Sequence, residues 1–571
     1  MNTSCDRRIS ASAMVSPGHV HGAMEESPRR ACGKGERLGL GSLDNNEREK
    51  KRMQQNGGFR PGKKWPQFLA ASLATMASIC AGSVMGWTSQ ALPYLQKPTN
   101  IVEESDASNF TVIGTSSAAV RNVSEVSVFL DKNGAVTEGV TPIEASWIGS
   151  LAPLGALVGA LPAGHVANSI GRKKLLLLLI VPYLVGWSLI FAAGKSAPLI
   201  FTARFISGIA LGTGSVIAPI YCEEIAEVRI RGALGIFFDL QVSNGILFVY
   251  IVGAYLSYLW LCITSAIIPV VFFLTFIWIP ESPIYLASKG KIKEAEKSLY
   301  WLRGARYIKD YDIKPELEYI QKFVLQTAKE SPSQETASKD TIIRIILILK
   351  YISKCVFTSY KSPTTKAVKI VACLMMIRQL CGINAVTFYT VDIFKGAGST
   401  LSPSEATIIV GIAEVLATYV SPFLVERAGR RILLLFSGAK MAVCHLILVV
   451  YFYLKQIDVS TKTFDWLPLL CLAMFVVAFN LGFGSLPFVM MAELVPNESK
   501  NWASGLAVSV NWIIMFTVTN LFEVTIKNLG TMITFALFCG MCTVGTVVVA
   551  FIVPETKGKT REEIQLELME R

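Results

Sequence analysis

Charged residues are scarce in this chain. Asp, Glu, Lys and Arg make up only 17% of its 571 residues, whereas 52% are hydrophobic. Soluble domains carry about 25% charged residues, so the composition argues against a soluble protein and favours one that lies in a lipid bilayer. The net charge of +12 comes from short Lys and Arg clusters between hydrophobic runs. That pattern is typical of membrane loops and predicts no binding of nucleic acid.

Catalytic signatures are also missing. The sequence contains neither Gly-x-Ser-x-Gly nor His-Glu-x-x-His, which argues against serine-hydrolase and zinc-protease activity. Gly558-Lys559-Thr560 resembles the end of a phosphate-binding loop, but Val553 stands where that motif needs its first Gly. The four histidines are too scattered for an evident metal site. The sequence therefore predicts neither an enzyme nor a bound cofactor or metal.

Two polar segments lack features of their own. Residues 1–65 contain no apolar core for a signal peptide, and they are rich in Gly, Ser, Arg and Lys. They are predicted to form a disordered cytosolic tail. Residues 96–142 contain none of the twelve cysteines, which argues against a disulfide framework in that segment.

Twelve hydrophobic stretches are present. Each is long enough to cross about 30 Å of hydrocarbon, which needs roughly 20 helical residues. They lie near residues 67–92, 144–167, 174–194, 198–221, 232–256, 258–279, 367–394, 405–425, 432–454, 467–491, 502–525 and 529–552. Unsatisfied backbone groups are costly in lipid, so all twelve are predicted to be helices. The sequence predicts an all-α membrane protein with six-helix bundles at 66–280 and 367–553, a helical linker at 281–366 and a short tail at 554–571.

Charge and glycosylation signals predict the orientation. The segment after Pro280 is rich in Lys and Arg, whereas residues 96–142 hold only three such residues. By the positive-inside rule, the linker and both termini are cytosolic and residues 96–142 lie outside. Two sequons, at Asn109 and Asn122, fall in that outer loop and are predicted glycosylation sites.

The two halves of the chain echo each other. Gly171-Arg172-Lys173 follows the second stretch, and Gly429-Arg430-Arg431 follows the eighth. Pro280-Glu281-Ser282-Pro283 closes the sixth stretch, and Pro554-Glu555-Thr556-Lys557-Gly558 closes the twelfth. Two repeated halves joined by a polar linker are typical of secondary transporters.

Longer motifs point to one family. Pro219-Ile220-Tyr221-Cys222-Glu223-Glu224-Ile225-Ala226 is followed by Arg231-Gly232, and Gln379-Leu380-Cys381-Gly382-Ile383-Asn384 by Gly482-Phe483-Gly484-Ser485-Leu486-Pro487. With these motifs and the closing Pro-Glu-Thr-Lys-Gly, the chain from about Trp65 to Leu568 resembles the sugar porter family of the major facilitator superfamily. The linker run from Leu299 to Gly304 and the seventh helix resemble the facilitated trehalose transporters of insects.

This resemblance implies both a fold and a function. The expected fold is the major facilitator fold, with twelve transmembrane helices in two six-helix halves and a cytosolic helical linker. The expected function is facilitated transport, or uniport, of trehalose or a related small sugar across the plasma membrane by alternating access. The expected partners are a small-molecule sugar and the bilayer, and the oligomeric state is left open.

Six charged residues are placed by the resemblance where the inner ends of the helices meet. They are Arg172, Glu224, Arg231, Glu426, Arg430 and Glu493. Opposite charges there would form a cytosolic gate that holds one state of the carrier. The alternative for any single Lys or Arg is a signal for orientation alone. Asn168 stands where the family usually has Asp, and a neutral amide cannot form the charge pair, so this half of the gate is expected to be weaker.

A sugar site needs uncharged hydrogen-bonding groups and aromatic rings that face a water-accessible cavity. The candidates are Gln379, Asn384, Asn511, Phe388, Phe479 and Phe488. Buried amides in a membrane helix cost free energy unless they have partners, which favours a functional role. The alternatives are helix–helix contacts for the amides and ordinary packing for the phenylalanines.

Three charged residues depart from the family pattern in the same region. Asp239 and Arg378 stand where the family commonly has Gln, and Glu414 stands where it has Asn. Ser485 and Phe488 likewise replace a usual Pro and Trp. Because an isolated charge in a membrane helix is costly, Arg378 is predicted to pair with Asp239, Glu414 or both. Such a pairing would alter substrate choice or add a proton-dependent step.

Energy coupling has two readings. Proton-driven sugar porters typically carry an Asp after a Gly-aromatic pair in the first helix, but here Gly86-Trp87 is followed by Thr88, which favours facilitated diffusion. Asp239 and Glu414 keep a proton-coupled sugar or polyol symporter open as an alternative, because a buried carboxylate can take up a proton. A sugar sensor that does not transport is the other alternative for the function.

Overall fold

Most of the predicted membrane region is described in the computed structural model. The described residues are 62–96, 128–130, 136–138, 140–227, 229–305, 308, 311–330, 363–398, 401–457, 459, 462–496, 500–559 and 561–570. The glycosylation sites predicted at Asn109 and Asn122, nearly all of the predicted tail at 1–65, and residues 331–362 of the predicted linker lie outside them.

Within the described residues, eleven helices are long and apolar enough to cross a membrane. They are Trp65–Leu95, Pro142–Ile170, Arg172–Ala193, Ala197–Ile225, Arg231–Tyr255, Tyr258–Phe276, Thr364–Ala397, Pro403–Val425, Arg430–Gln456, Leu467–Leu494 and Ala503–Ile552. The last would be about 75 Å long if it were straight, but it is divided at Gly530, where φ is +85°. We number the twelve resulting spans in chain order, with 503–529 and 531–552 as the eleventh and twelfth. The prediction of twelve membrane helices is confirmed.

Three spans are interrupted. The third comprises Arg172–Leu178 and Ile180–Ala193, the seventh Pro363–Leu380 and Ile383–Ala397, and the tenth Leu467–Leu481 and Leu486–Leu494. The seventh breaks at Gly382, whose φ of +87° is readily adopted only by Gly. Irregular backbone at membrane depth is tolerated where it is buried in protein or lines a cavity. The breaks in the seventh and tenth spans therefore mark the centre of the second half.

Other elements lie outside the spans. Helices Pro283–Ser288, Ile292–Leu302 and Lys314–Glu330 form the described part of the linker, and helix Arg561–Glu570 follows the twelfth span. A short 3-10 helix, Lys462–Phe464, precedes the tenth span. Strands β1 (Val128–Leu130) and β2 (Val136–Glu138) pair antiparallel, with Phe129 opposite Thr137. The hairpin lies between the first and second spans, where backbone groups can satisfy one another across strands as well as along a helix. The described membrane spans are all α-helical, as predicted.

Successive spans run in opposite directions, so the bundle has two ends. We call the end that carries residues 229–230, 277–305 and 553–559 the linker end. We call the opposite end, which carries residues 140–141, 256–257 and 401–402, the loop end.

The second and fourth spans pack backbone against backbone. A Cβ atom on Gly212 would lie 1.9 Å from the carbonyl oxygen of Ala156, and one on Gly159 would lie 2.1 Å from that of Ile209. Only glycine permits such an approach, which is typical of packed membrane helices. The first half is therefore a tightly fitted bundle that can move as one body.

The two halves meet through the second span against the eleventh and the fifth against the eighth. Asn520 Nδ2 donates to Ser150 Oγ at 3.0 Å, and the Tyr250 hydroxyl donates to the Thr387 carbonyl at 2.7 Å. All four residues lie in the parts of their spans nearest the loop end. These hydrogen bonds therefore hold the halves together at the loop end.

Candidate functional site

The three amides predicted for a sugar site form one hydrogen-bonded chain. Gln379 Nε2 donates to Asn511 Oδ1 at 2.6 Å, and Asn384 Nδ2 donates to Gln379 Oε1. Gln379 is fully buried, and Asn384 and Asn511 are each 5% exposed. The break at Gly382 makes this possible, because it brings Asn384 back beside Gln379. These hydrogen bonds also join the seventh span to the eleventh. The same geometry is therefore consistent with the alternative, a helix–helix contact.

Among the described residues, the direct contacts of Arg378 come from the second half. Its Nε donates to the Gly484 carbonyl at 3.2 Å and its Nη1 to Asn511 Oδ1 at 3.1 Å. The guanidinium carbon lies 5.5 Å from the ring centroid of Phe479 and 5.3 Å from that of Phe488. The Gly484 carbonyl lies in the break of the tenth span, outside the regular helical ladder. A broken helix and two aromatic rings thus provide this cation with partners inside the membrane region.

The predicted ion pair of Arg378 is not formed. Among the described residues, none of the ion pairs joins Arg378 to Asp239 or Glu414. Glu414 instead accepts a hydrogen bond from Ser243 Oγ at 3.1 Å. The prediction was wrong because Gly484 and Asn511 hold the guanidinium on its own side, and Ser243 engages the carboxylate of Glu414.

The predicted phenylalanines divide into two groups. Phe479 and Phe488 flank Arg378, and Phe488 is half-buried. Phe388 is fully buried in the main hydrophobic core. Its position matches the packing alternative, whereas the other two rings lie beside polar groups.

We call the six residues Gln379, Asn384, Asn511, Arg378, Asp239 and Glu414 the polar cluster. The amides are buried, whereas Arg378, Asp239 and Glu414 are half-buried. The cluster draws on the seventh and eleventh spans and on the fifth and eighth, which face each other across the two halves. Partly exposed charges at mid-span are typical of a pathway for a polar substrate.

Two buried polar residues, one beside the polar cluster and one elsewhere in the first half, were not foreseen as candidates. Ser243 lies four residues after Asp239, so both occupy one face of the fifth span. That spacing was the available signal.

Arg204 is fully buried and donates to Thr88 Oγ1 at 2.8 Å, to the Val84 carbonyl at 2.5 Å and to the Ile148 carbonyl at 3.0 Å. Within the described residues, no carboxylate contacts Arg204, and Thr88 supplies its side-chain acceptor.

Four of the predicted gate residues pair at the linker end. Arg172 Nη2 lies 2.9 Å from Glu224 Oε1, and Arg430 Nη2 lies 2.8 Å from Glu493 Oε1. Each pair joins two spans of the same half. The structure therefore places these charges as braces within each half.

Two further carboxylates bind backbone N–H groups beside these ion pairs. Glu281 Oε1 accepts from the backbone N–H of Lys173 at 2.9 Å, and the Glu555 carboxylate accepts from the N–H groups of Arg430 and Arg431 at 3.0 and 3.1 Å. Such N–H groups at a helix N-terminus favour an anion. Partial burial alone would raise the pKa of Glu555, but the backbone N–H groups of Lys557, Arg430, Arg431 and Thr556 lower it. The motifs repeated in the two halves thus make equivalent hydrogen bonds, from a carboxylate at the end of each half to backbone N–H groups at a helix N-terminus.

The remaining gate candidates form no contact that indicates a gate role among the described residues. Arg231 and Asn168 are exposed. Glu426 belongs to helix Pro403–Ala428, but its side chain lies outside the described residues. A gate role for these residues stays a prediction.

A buried ion network ties the linker to the first half. Arg303 Nη2 lies 2.7 Å from Glu316 Oε1, and Arg303 Nε lies 3.6 Å from Glu227 Oε1. Glu227 also accepts from Gln67 Nε2 at 2.9 Å. Burial alone would lower the pKa of Arg303, but Glu316 and Glu227 raise it. The linker helices are therefore anchored to the ends of the first and fourth spans by charge as well as by packing.

Sequence comparisons agree with this architecture. A family model described as "Sugar (and other) transporter" matches residues 73–568. The chain is 37% identical over 433 residues to the facilitated trehalose transporter Tret1 of Bombyx mori, which covers 76% of this chain and 81% of that protein. It is 32% identical over 507 residues to Tret1 of Drosophila mojavensis, covering 89% of this chain and 52% of that protein. The chain therefore spans about half the length of the Drosophila relative.

Solved structures share the fold. The inward open conformation of the xylose transporter XylE from E. coli superposes with a TM-score of 0.65 at 20% identity, covering 88% of this chain and 99% of that one. XylE bound to 6-bromo-6-deoxy-D-glucose, described as a proton:xylose symporter, gives a TM-score of 0.61 at 21% identity with the same coverage. The fold is therefore the major facilitator fold of a multi-pass membrane protein. With the family model matched over most of its length, the chain belongs to the sugar transporter family, a family of transporters rather than of enzymes.

Proposed function

We propose that this protein is a uniporter that carries trehalose or a related small sugar across the plasma membrane by alternating access. Its relatives in Bombyx mori and Drosophila mojavensis are facilitated trehalose transporters. The observation that carries the proposal is the polar cluster, in which buried, hydrogen-bonded amides adjoin half-buried charges between the two halves. Neutral amides beside aromatic rings suit a polyhydroxylated solute.

The linker end is proposed to be cytosolic, together with both termini. The Lys and Arg residues of the linker support this orientation. With this orientation, the contacts between the halves near the loop end close the outside, which supports an inward-facing state. The predicted gate residues of the ion pairs Arg172–Glu224 and Arg430–Glu493 act as braces that keep each half rigid while the halves part and close at the cytosolic side.

The surroundings of Arg204 support transport without proton coupling. Its guanidinium is satisfied by Thr88 and by backbone carbonyls. A threonine hydroxyl does not ionise in the physiological range, so this contact cannot exchange a proton with the medium during the transport cycle.

Tracer flux would test the proposal. The purified protein, reconstituted in vesicles, is expected to equilibrate labelled trehalose or glucose down a gradient, with exchange accelerated by unlabelled sugar on the opposite side. Binding of either sugar without any flux would support the alternative of a sensor. Neither binding nor flux of any sugar or polyol in a broad panel would contradict the proposal.

A proton-coupled symporter is the second candidate. It is favoured by Asp239 and Glu414, two half-buried carboxylates that lack a cation within ion-pair distance among the described residues. Uptake of sugar against its gradient, driven only by an imposed pH gradient, would establish this candidate. Uptake that stops at equilibrium under the same pH gradient would support the uniporter.

Glycosylation at Asn109 and Asn122 belongs to the same proposal. It requires residues 96–142 to face the outside. Treatment with an N-glycosidase is expected to increase the gel mobility of the protein, and replacing both residues by Gln is expected to abolish that shift.

A further inference from the structure

One side chain of the ninth span reaches the break in the seventh. His445 is fully buried, and its Nε2 lies 3.1 Å from the carbonyl oxygen of Cys381. Cys381 lies between helices Pro363–Leu380 and Ile383–Ala397 and belongs to neither of them. Because a carbonyl oxygen can only accept, the Nε2 of His445 carries the hydrogen and donates it. A backbone acceptor at the break is thereby satisfied inside the membrane region.

Three aromatic rings fix this imidazole in place. Its centroid lies 4.4 Å from that of Phe475, 5.7 Å from that of Phe535 and 5.9 Å from that of Phe538. Phe538 also packs tightly on the break itself, because a Cβ atom on Gly382 would lie 2.8 Å from its ring. The Nδ1 of His445 has no hydrogen-bond partner within the described residues. The hydrogen bond at Nε2 is therefore the polar contact that offsets the cost of burying this ring.

The equivalent position in the first half is built differently. Trp187 and His445 lie sixteen residues after the glycine of the repeated turn in their respective halves. The first span, Trp65–Leu95, is one continuous helix, and the Nε1 of Trp187 has no hydrogen-bond partner in the part of the chain that the structure describes. At this position, a donor to the backbone occurs in the half whose leading span is broken. That difference links His445 to the break.

The far end of the same helix is also held by the ninth span. The Tyr451 hydroxyl donates to the Ala397 carbonyl at 3.1 Å. Lys455 Nζ donates to the carbonyls of Gly396 and Ala397 at 2.8 and 2.9 Å. The last carbonyls of a helix have no partner within that helix, and a cation is favourable there. Helix Ile383–Ala397 is therefore fixed to the ninth span at both of its ends.

We propose that His445 is a positioning residue for the transported sugar. This inference rests on the proposed function. Cys381 lies between Gln379 and Asn384 in the sequence, and the break there brings the two amides into contact. By holding the Cys381 carbonyl, His445 fixes the direction in which the second helix leaves the break. It thereby keeps Asn384 beside Gln379 without touching the sugar itself.

Two amide substitutions separate this role from simple packing. In His445→Gln, the amide nitrogen can occupy the place of Nε2 and donate to Cys381, whereas the side chain in His445→Asn is too short to reach that carbonyl. His445→Asn is expected to weaken equilibrium binding of labelled trehalose or glucose to the purified full-length protein by about fivefold or more. His445→Gln is expected to stay within about twofold of the parent, because it restores the donor.

Tyr451→Phe is the matched control. It removes a hydrogen bond between the same two spans, but at the end of the helix that lies away from the amides. Sugar binding in this variant is expected to stay within about twofold of the parent. A loss as large as that of His445→Asn would show that any contact between the two spans matters equally, and the inference would fail.

A double-variant cycle tests whether His445 acts through the amides. Asn384→Ala alone is expected to weaken sugar binding. Adding His445→Asn to Asn384→Ala is expected to cause less than about a twofold further loss, because residues that act through one another are not additive. Fully additive losses would show that His445 affects binding by another route.

Hydrogen–deuterium exchange provides a readout that needs no sugar. His445→Asn is expected to speed the exchange of backbone N–H groups in residues 382–388, next to the break, whereas His445→Gln is expected to match the parent. Tyr451→Phe is expected to speed exchange only near residues 394–398. Thermal unfolding confirms that each variant is folded, and His445→Phe, with the same expectations as His445→Asn, takes its place if that variant does not fold.

Three results would overturn the inference and leave the proposed function intact. They are sugar binding unchanged by His445→Asn, equal losses in His445→Asn and His445→Gln, and exchange at the break that is the same in His445→Asn and the parent. If the parent binds no sugar, the proposed function fails and the positioning role fails with it. The exchange data then still decide whether His445 fixes the break.

Discussion

The two ends of the helical bundle are held in different ways. At the loop end, the two halves touch each other through single neutral hydrogen bonds, such as Asn520 to Ser150 and Tyr250 to Thr387. At the linker end, ion pairs brace the spans within each half, as in Arg172–Glu224 and Arg430–Glu493. The contacts that must break during alternating access are thus weak, whereas those that must persist carry charge.

The difference fits the energetics of a rocking mechanism. A neutral hydrogen bond contributes about 0.5–1.5 kcal/mol net, and bonds to charged groups contribute about 1.5–3 kcal/mol. A carrier whose halves part at the outside needs outer contacts that thermal motion can break. It also needs halves that do not distort as they move, and the close fit of the second and fourth spans supplies this in the first half.

The largest effect is expected from removing the buried cation of the linker. Arg303→Ala would leave Glu227 and Glu316 close together without their shared partner, and breaking a buried ion pair typically costs about 3–5 kcal/mol. Thermal unfolding in detergent should therefore shift to clearly lower temperature. Lys291→Ala is the matched control, because its pair with Glu294 is exposed. Equal melting temperatures for Arg303→Ala and this control would show that the linker is not anchored by charge.

A smaller effect is expected from the braces. Glu493→Gln removes the charge opposite Arg430 but keeps the shape of the side chain. The second half should lose rigidity, and transport should slow severalfold. The affinity for sugar, measured by binding, should stay within about twofold, because the ion pair lies away from the polar cluster. Glu223→Gln, at an exposed position next to Glu224, is the control. A large loss of affinity with unchanged maximal rate would contradict the brace role.

Weakening the hydrogen bonds between the halves at the loop end is expected to have a moderate effect on the balance between the inward-facing and outward-facing states. Tyr250→Phe removes one hydrogen bond between the halves. The equilibrium should shift towards the outward-facing state by about two- to tenfold, which corresponds to the net value of one neutral hydrogen bond. Access of an impermeant external inhibitor or label should rise accordingly. Tyr453→Phe, on an exposed tyrosine of the ninth span, is the control, and an inward shift in Tyr250→Phe would contradict the assignment of the closed end.

The smallest effect is expected at Asn168. This residue is exposed on the second span, near the first-half brace. Asn168→Asp adds a carboxylate where the family usually has one, and the resting population should shift modestly outward. Unchanged accessibility of cysteines placed at the inner mouth of the cavity would count against the idea, with Ser169→Asp as the control for added charge.

Much of this architecture could be predicted from the sequence. Long apolar runs predict spans because lipid requires helices, and the echo of Gly171 and Gly429 anticipates the repeated turns. The polar pair Lys527-Asn528 separates the predicted stretches 502–525 and 529–552, but hydropathy does not locate the break in the helix at Gly530. Spans are easier to predict than their ends.

The site was harder to predict. The sequence identifies Gln379, Asn384 and Asn511 as candidates. It does not reveal that Arg378 forms no ion pair with Asp239 or Glu414. A carbonyl freed at Gly484 and the rings of Phe479 and Phe488 satisfy this cation instead. Partners supplied by an irregular backbone leave no pattern in the side chains, so the sequence could not reveal them.

Labelling from each side of the membrane tests the central claim most directly. Phe488 is half-buried beside Arg378 in the second half, so Phe488→Cys places a thiol within the proposed sugar path. In oriented vesicles without sugar, a membrane-impermeant thiol reagent applied at the cytosolic face should label this variant beyond the background of the native cysteines, and trehalose or glucose should slow the reaction. Labelling only from the outer face, or none from either face under any sugar condition, would contradict the account of an inward-facing sugar carrier.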